Sequence, residues 1–172
     1  MIEVIKSPQP FAEKKQWTVF LAGPMNGAPS WQAQAPKVAE TVGIENLTML
    51  NPRKTDRFVT GTYQVNWETF GLRMCDVILF WIPPQAREMK PHRVYAITTR
   101  MEMAENLARG HKVIIGIDPE CADLTGILSG WRFWGGRMEA LPEWKHHSEV
   151  GLRLISLHAA GAYTIYCSCG FY

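Results

Sequence analysis

Four short apolar runs, separated by longer and more polar segments, dominate the pattern of the chain. They are residues 17–22, 47–50, 76–82 and 112–117. Each is rich in the aliphatic, β-branched and aromatic residues that strands favour, and Gly, Asn or Pro follows each of the first three. The third run is apolar at nearly every position, which is typical of a strand covered on both faces of a parallel sheet. The pattern therefore predicts four buried strands.

The segments between these runs predict helices. They span residues 31–42, 63–75 and 99–109. Pro36 limits the regularity of the first, and Gly110 is suited to end the last in a left-handed conformation. Helices that alternate with strands predict right-handed crossovers. We therefore expect a doubly wound α/β fold, flavodoxin-like or Rossmann-like, with about five mostly parallel strands.

The two ends of the chain carry weaker patterns. Residues 1–16 are polar and contain two prolines, and we expect them to form a lead-in arm. Beyond residue 120, the pattern predicts an aromatic loop at 131–137, a helix at 148–160 and a further strand at 162–167. The length of 172 residues suits a single domain that covers the whole chain.

Composition and charge narrow the class of protein. The net charge is +2 and there is no basic run, so nothing indicates a nucleic-acid partner. No apolar stretch is long enough to cross a bilayer and the N-terminus lacks a signal-peptide pattern, so we expect a cytoplasmic protein without a membrane partner. Cys167 and Cys169 are too close for a zinc knuckle, and the adjacent His146 and His147 suggest a surface loop, so we expect no metal.

Glu102 is the leading candidate for chemistry. It opens the helix predicted at 99–109, after the most apolar strand, and ligands of open α/β sheets bind beyond the carboxyl ends of the strands. The same segment has a structural interpretation, because Thr99 and Glu102 have the spacing of a capping box, in which Glu bonds back to the N-cap amide. The segment by itself leaves both interpretations open.

Other distinctive residues are predicted to reach the same edge of the sheet. Gly23-Pro24-Met25 follows the first strand, and Asn51-Pro52-Arg53 follows the second. Glu68, on the helix before the third strand, either faces this edge or belongs to a solvated helix face. The chain has no dinucleotide fingerprint, P-loop or nucleophile elbow, so carboxylate chemistry without an organic cofactor is the interpretation that remains.

Five segments in a characteristic order resemble the nucleoside 2-deoxyribosyltransferase superfamily, and most closely its nucleoside 2-deoxyribosyltransferase-like branch. They are residues 19–24, 51–53, 67–68, 75–81 and 98–103. The resemblance implies that Glu102 is the nucleophile and that Glu68 stands where the family has a ribose-binding acid. Phe20 falls where the family has a tyrosine that orients the nucleophile, so that hydroxyl is missing. No acid occupies residues 96–98, where the family has one that contacts the base.

The resemblance also implies an activity. We expect transfer of a (deoxy)ribosyl group between bases through a glycosyl-Glu102 intermediate, on a nucleoside or nucleotide, in a homodimer or higher homo-oligomer. Hydrolysis with water as the acceptor is one alternative, and a non-catalytic nucleotide-binding domain is another. The predicted catalytic residues are Glu102 and Glu68. The predicted substrate-binding residues are Phe20, Gly23, Pro24, Met25, Asn51, Arg53, Trp67, Thr99 and Arg100.

Overall fold

The computed structural model describes residues 1–11, 17–41, 43–54, 60–118, 120–121 and 126–127, together with the backbone of 163–167. In these residues six strands form one sheet with the order β1-β3-β2-β4-β5-β6. The strands are β1 (Ile2–Lys6), β2 (Trp17–Ala22), β3 (Leu47–Asn51), β4 (Val77–Ile82), β5 (Val113–Ile117) and β6 (Tyr163–Cys167). The first five are parallel, and β6 pairs antiparallel with β5.

In the described residues, three α-helices connect the strands from β2 to β5. They are α1 (Ala35–Thr41), α2 (Gly61–Met74) and α3 (Ile97–Ala108). Neighbouring residues of a strand point to opposite faces of the sheet, so Phe20 lies in the apolar cluster of α2 and α3, whereas Leu21 lies in that of α1. Helices on both faces of a mostly parallel sheet confirm the predicted doubly wound, flavodoxin-like α/β fold.

The N-terminal segment differs from the predicted arm. Ile2–Lys6 forms an edge strand that runs parallel to β3, with Ile2 opposite Leu47 and Lys6 opposite Asn51. Ile5 is buried on the side of α2 and α3, while Ile2 and Val4 pack on the other face. The prolines that suggested irregular structure come only after this strand has ended.

The other elements follow the prediction with shifted boundaries. The helix predicted at 31–42 is a 3-10 turn, Trp31–Ala33, followed by α1. Helix α2 begins two residues early because Thr60 caps it, its side chain accepting a hydrogen bond from the Tyr63 backbone N–H at 3.3 Å. The strand predicted at 162–167 is present as β6. The aromatic loop at 131–137 and the helix at 148–160 lie outside the described residues.

Gly71 sets how closely α2 approaches the sheet. A Cβ atom at this position would lie 2.8 and 3.0 Å from two ring atoms of Phe20, which is almost fully buried. A rigid buried ring cannot move away easily, so the side chain at position 71 must be a hydrogen atom. This close contact brings α2 down onto β2 just below the carboxyl end of the sheet.

We therefore expect Gly71→Ala to lower the free energy of unfolding by about 1–3 kcal/mol, as overpacking typically does. Gly61→Ala is the matched control, because it lies in the same helix and a Cβ atom there has no neighbour within 4 Å. Urea denaturation of both variants measures the difference. Equal stabilities would show that the helix can move away from Phe20 without penalty.

Candidate active site

One cavity opens at the carboxyl ends of the central strands, between α2, α3 and the loops that follow β2 and β4. Its volume of about 520 Å³ is in the range of small-molecule sites. The residues that line it are Phe20, Ala22, Gly23, Pro24, Met25, Asn26, Pro52, Glu68, Leu72, Met89, His92, Arg93, Val94, Ala96, Ile97, Thr98, Thr99 and Glu102. Both predicted carboxylates are therefore in one cavity, together with five of the nine predicted substrate-binding residues.

Glu102 is not a capping residue. Helix α3 begins at Ile97, two residues before the predicted start, and its N-cap is Ala96 in a left-handed conformation with φ 57°. The N-cap makes no side-chain hydrogen bond, and Glu102 lies in the second turn, too far along the helix for a capping box. The capping interpretation was therefore wrong, and the Glu102 side chain faces the cavity instead.

The Glu102 carboxyl is held in a form that resists ionisation. Burial raises its pKa to about 7, and the nearby carboxylates Glu68 and Glu105 contribute in the same direction. Burial also raises the pKa of Glu68, but a hydrogen bond from Gln64 and the charge of Lys54 oppose that rise. Burial therefore raises the pKa of both carboxyls, and only at Glu68 do a hydrogen-bond donor and a cation oppose that rise.

Glu68 lies half-buried on the inner side of α2 rather than on a solvated face. Its Oε1 accepts a hydrogen bond of 2.5 Å from Gln64 Nε2, one helical turn earlier. Residues four positions apart share a helix face, so Gln64 and Glu68 point to the same edge of the sheet. This arrangement favours the interpretation that Glu68 faces the edge of the sheet over the interpretation that it belongs to a solvated helix face.

Gly23 allows the chain to turn into the cavity at the end of β2. Its φ of 153° is rare for a residue with a side chain, and a Cβ atom would lie 2.3 Å from the Trp81 carbonyl oxygen and 2.8 Å from the Trp31 ring. Farther along the same loop, the Gly27 carbonyl accepts hydrogen bonds from the backbone N–H groups of Ala86 and Arg87, at 2.7 and 3.2 Å. These bonds join the loops that follow β2 and β4.

Two predicted substrate-binding residues, Asn51 and Arg53, do not line the cavity. Asn51 is buried and its side-chain oxygen accepts a bond of 2.9 Å from the Arg53 backbone N–H, which stabilises the turn after β3. The Arg53 guanidinium donates to Gln32 Oε1 at 2.7 Å and to the Pro29 carbonyl at 2.9 Å. Both side chains connect this turn to the 3-10 segment on the other face of the sheet.

Trp67 and Arg100 also lie away from the cavity lining. Trp67 is buried, its ring stacks on Phe11 with centroids 4.8 Å apart, and its indole N–H donates to the Gln9 carbonyl at 2.8 Å. Arg100 precedes Glu102 by two residues, which places it on nearly the opposite side of α3.

The loop before α3 supplies cavity residues that the sequence did not identify. His92, Arg93, Val94 and Met89 line the cavity, although residues 85–97 were predicted only as an irregular loop. His92 has a positive φ of 69°, which turns the chain back toward the sheet. The signal available in the sequence was the position of this polar loop directly after the most apolar strand.

A comparison of the sequence with family models identifies the family of the chain. A family model described as nucleoside 2-deoxyribosyltransferase like matches residues 16–121. The chain belongs to this family. The matched region contains every residue that lines the cavity, while β1 and β6 lie outside it. No curated protein matches the chain at a significant level.

Two further features concern only the part of the chain that the structure describes. Within it, no helix combines the length and apolar character needed to span a membrane. In the same residues, no three His, Cys, Asp or Glu side chains gather in a way that would hold a metal ion. Cys75 is partly buried and its thiol donates to the Leu72 carbonyl at 3.4 Å, and Cys121 is buried.

The raised pKa of Glu102 predicts a stability difference that depends on pH. A carboxyl whose pKa is higher in the folded than in the unfolded state stabilises the fold below pH 4.5, and this contribution is lost as pH rises through 7. Glu102→Gln lacks the charge, so we expect it to be more stable than the wild type by about 1–3 kcal/mol at pH 8.

This difference should shrink as the pH is lowered to 5, and denaturant unfolding at both pH values measures it. Glu40→Gln, at an exposed position of α1, is the control and should match the wild type at both. If Glu102→Gln is less stable than the wild type at pH 8, then the buried Glu102 charge does not destabilise the fold.

Proposed function

We propose that this protein cleaves the N-glycosidic bond of a nucleoside or nucleotide and transfers the (deoxy)ribosyl group to another base. The observation that carries this proposal is the presence of Glu68 and Glu102 in one cavity at the carboxyl edge of the sheet, in a chain of this family. The proposal goes beyond the family assignment, which supports glycosyl transfer on nucleosides in general terms.

Glu102 is the proposed nucleophile. Its carboxylate attacks the anomeric carbon while the bond from that carbon to the base nitrogen breaks, and the departing base carries away the bonding electron pair and takes a proton from solvent. This step leaves a glycosyl ester on Glu102. The nitrogen of an incoming base then attacks the same carbon and gives its proton to solvent, while the ester bond breaks and the Glu102 carboxylate is restored. Two displacements give net retention of configuration.

Glu68 is proposed to hold sugar hydroxyls rather than to attack. An ionised carboxylate accepts hydrogen bonds from sugar hydroxyls, and this fixes the sugar with its anomeric carbon toward Glu102. Gly23, Pro24 and Met25 form the turn at the end of β2 and line the cavity. They would contact the substrate mainly through their backbone atoms. Thr99 and Phe20 complete the part of the lining that the sequence predicted.

Hydrolysis is a second candidate, favoured by one observation. Ala96, Ile97 and Thr98 line the cavity where the family resemblance implies an acid that contacts the base. Without that acid an acceptor base is held less firmly, and water can discharge the ester instead. A nucleoside and nucleotide panel separates the candidates, since free base formed without acceptor indicates hydrolysis and a new nucleoside indicates transfer. If neither free base nor new nucleoside forms from any compound of the panel, a non-catalytic binding domain is favoured.

A homo-oligomer stays a prediction. Val94, Ile97 and Met101 lie at the cavity rim and at the start of α3, with 56%, 48% and 67% of their surfaces exposed. Exposed apolar residues that are grouped in this way often mark interfaces. A second copy seated on them would cover the cavity mouth, and light scattering at micromolar concentration tests for it.

The pKa of Glu102 predicts the pH profile. The nucleophile must be ionised, so kcat/KM should rise with pH through about 7 and level off above it. Glu68→Gln removes one of the charges that raise this pKa, so the rising limb should move to lower pH even as the rate falls. A rate that instead decreases with pH through 7 would make Glu102 a proton donor.

A 2-fluoro sugar analogue with a good leaving base should trap the ester, because fluorine slows both displacements while a good leaving group preserves the first. Intact mass spectrometry should show one added sugar per chain, and peptide mapping should locate it in residues 101–109. Glu102→Gln should form no adduct and should lose turnover by orders of magnitude. An adduct on another residue, or an inverted product, would rule out glycosyl-Glu102.

A further inference from the structure

Gln64 is a buried polar side chain that the proposed reaction does not use directly. It lies on α2 one turn before Glu68 and is 7% exposed. Its Nε2 donates to Glu68 Oε1 at 2.5 Å and to the Pro52 carbonyl at 2.7 Å, while its Oε1 accepts from Ser7 Oγ at 2.6 Å. Buried amides that make several bonds are held in one orientation, because water cannot replace a lost partner.

The chemistry of these partners fixes which end of the amide faces Glu68. The Pro52 carbonyl can only accept a hydrogen bond, so the group beside it must be the Gln64 amino group. The same amino group faces Glu68, and the amide oxygen is left for Ser7, whose hydroxyl must then donate. No flipped arrangement satisfies all three contacts. Gln64 therefore presents a donor to Glu68, and a donor favours the ionised carboxylate.

Ser7 is held in place by the strand that precedes it. It is fully buried, and its backbone N–H donates to the Asn51 carbonyl at 3.1 Å, which continues the pairing of β1 with β3. The next two residues contact the same face of α2. The Tyr63 hydroxyl donates to the Pro8 carbonyl at 3.4 Å, and the Trp67 indole donates to the Gln9 carbonyl.

This segment is not part of the region that defines the family. The family match starts at residue 16, whereas β1 and residues 7–9 precede it. The contacts nevertheless lead from β1 through Ser7 and Gln64 to a carboxylate of the cavity.

We propose that Ser7 and Gln64 are positioning residues, which fix the Glu68 carboxylate in its ionised form and in the orientation that binds the sugar. The N-terminal strand thus serves the active site as well as the sheet. The inference rests on the proposed function only for its kinetic consequences, because the state of Glu68 can be measured without turnover. The charge of Lys54 lowers the pKa of Glu68, and the charges of Glu68 and Glu105 raise the pKa of Glu102.

Ser7→Ala removes the hydroxyl that donates to the amide oxygen and leaves Gln64 less firmly held. Tyr63→Phe is the matched control, since it removes a hydrogen bond between the same segment and the same helix that does not lead to Glu68. We expect Ser7→Ala to lower kcat/KM by roughly three- to tenfold, mainly through KM, as the loss of one buried hydrogen bond suggests. Tyr63→Phe should stay within twofold of the wild type.

A double-mutant cycle separates positioning from general destabilisation. If Ser7 acts through Glu68, then Ser7→Ala should have little further effect on kcat/KM in a Glu68→Gln background. Full additivity of the two losses would overturn the proposal. Urea denaturation of each variant ensures that the kinetics are compared between folded proteins.

A second readout is independent of activity. In protein labelled with ¹³C at the Glu side-chain carboxyl carbons, Glu68→Gln assigns the Glu68 signal, and its titration gives the midpoint. Ser7→Ala and Gln64→Leu should move that midpoint upward, by roughly half a pH unit or more, while Tyr63→Phe should not. Equal midpoints in all four proteins would overturn the inference, whether or not a substrate is turned over. A wild type without turnover but with the expected shifts would contradict the proposed function alone.

Discussion

The burial of two carboxyls in one cavity is the constraint to which the rest of the structure responds. Each carboxylate loses hydration there, and the negative charge of Glu68 makes ionisation of Glu102 harder still. A fold tolerates such a pair only if the burial of its apolar core offsets the destabilisation that the two buried carboxyls cause. The sheet does so, since every residue of β4 is buried and both of its faces are covered by helices. In the proposed function, catalysis and stability are therefore in opposition at Glu102, as is common at active sites.

The parallel sheet brings the two acids together although 34 residues separate them, from 68 to 102. Strand β2 is central, and the chain passes from it to β3 on one side and later to β4 on the other. This reversal opens a crevice at the carboxyl ends of β2 and β4, where ligands of such folds bind. Helices α2 and α3 both pack on the same face, one on each side of that crevice, and Gly71 lets α2 come close to Phe20. Glu68 and Glu102 project from the facing sides of these two helices into the cavity.

Most of the fold and the centre of the site could be predicted because local pattern and tertiary structure agree there. The four apolar runs are strands, and Glu102 and Glu68 both reach the cavity. The start of α3 was misjudged because Ala96 takes a left-handed conformation that its side chain does not favour, which only the surrounding loop can impose. The position of the Arg53 side chain could not be predicted, because a guanidinium at the end of a strand has the same sequence pattern whether it faces a ligand or Gln32. The position of β1 depends on pairing with a distant strand, which its short pattern does not specify.

The two departures from the pattern that the family resemblance implies act in opposite directions on Glu102, because a missing donor raises the pKa of a carboxyl and a missing acid lowers it. Phe20 brings no hydroxyl to the cavity, and residues 96–98 bring no acid. A hydroxyl donor would favour the ionised form of Glu102, whereas burial and the neighbouring carboxylates raise its pKa to about 7. Glu68 has the reverse situation, because Gln64 donates to it and Lys54 attracts its charge. Both carboxyls therefore have a pKa above the ordinary value, but only at Glu68 do a donor and a cation oppose the effect of burial. In the proposed reaction, an anomeric carbon that gains positive character would favour the ionised form of Glu102 at the moment of attack.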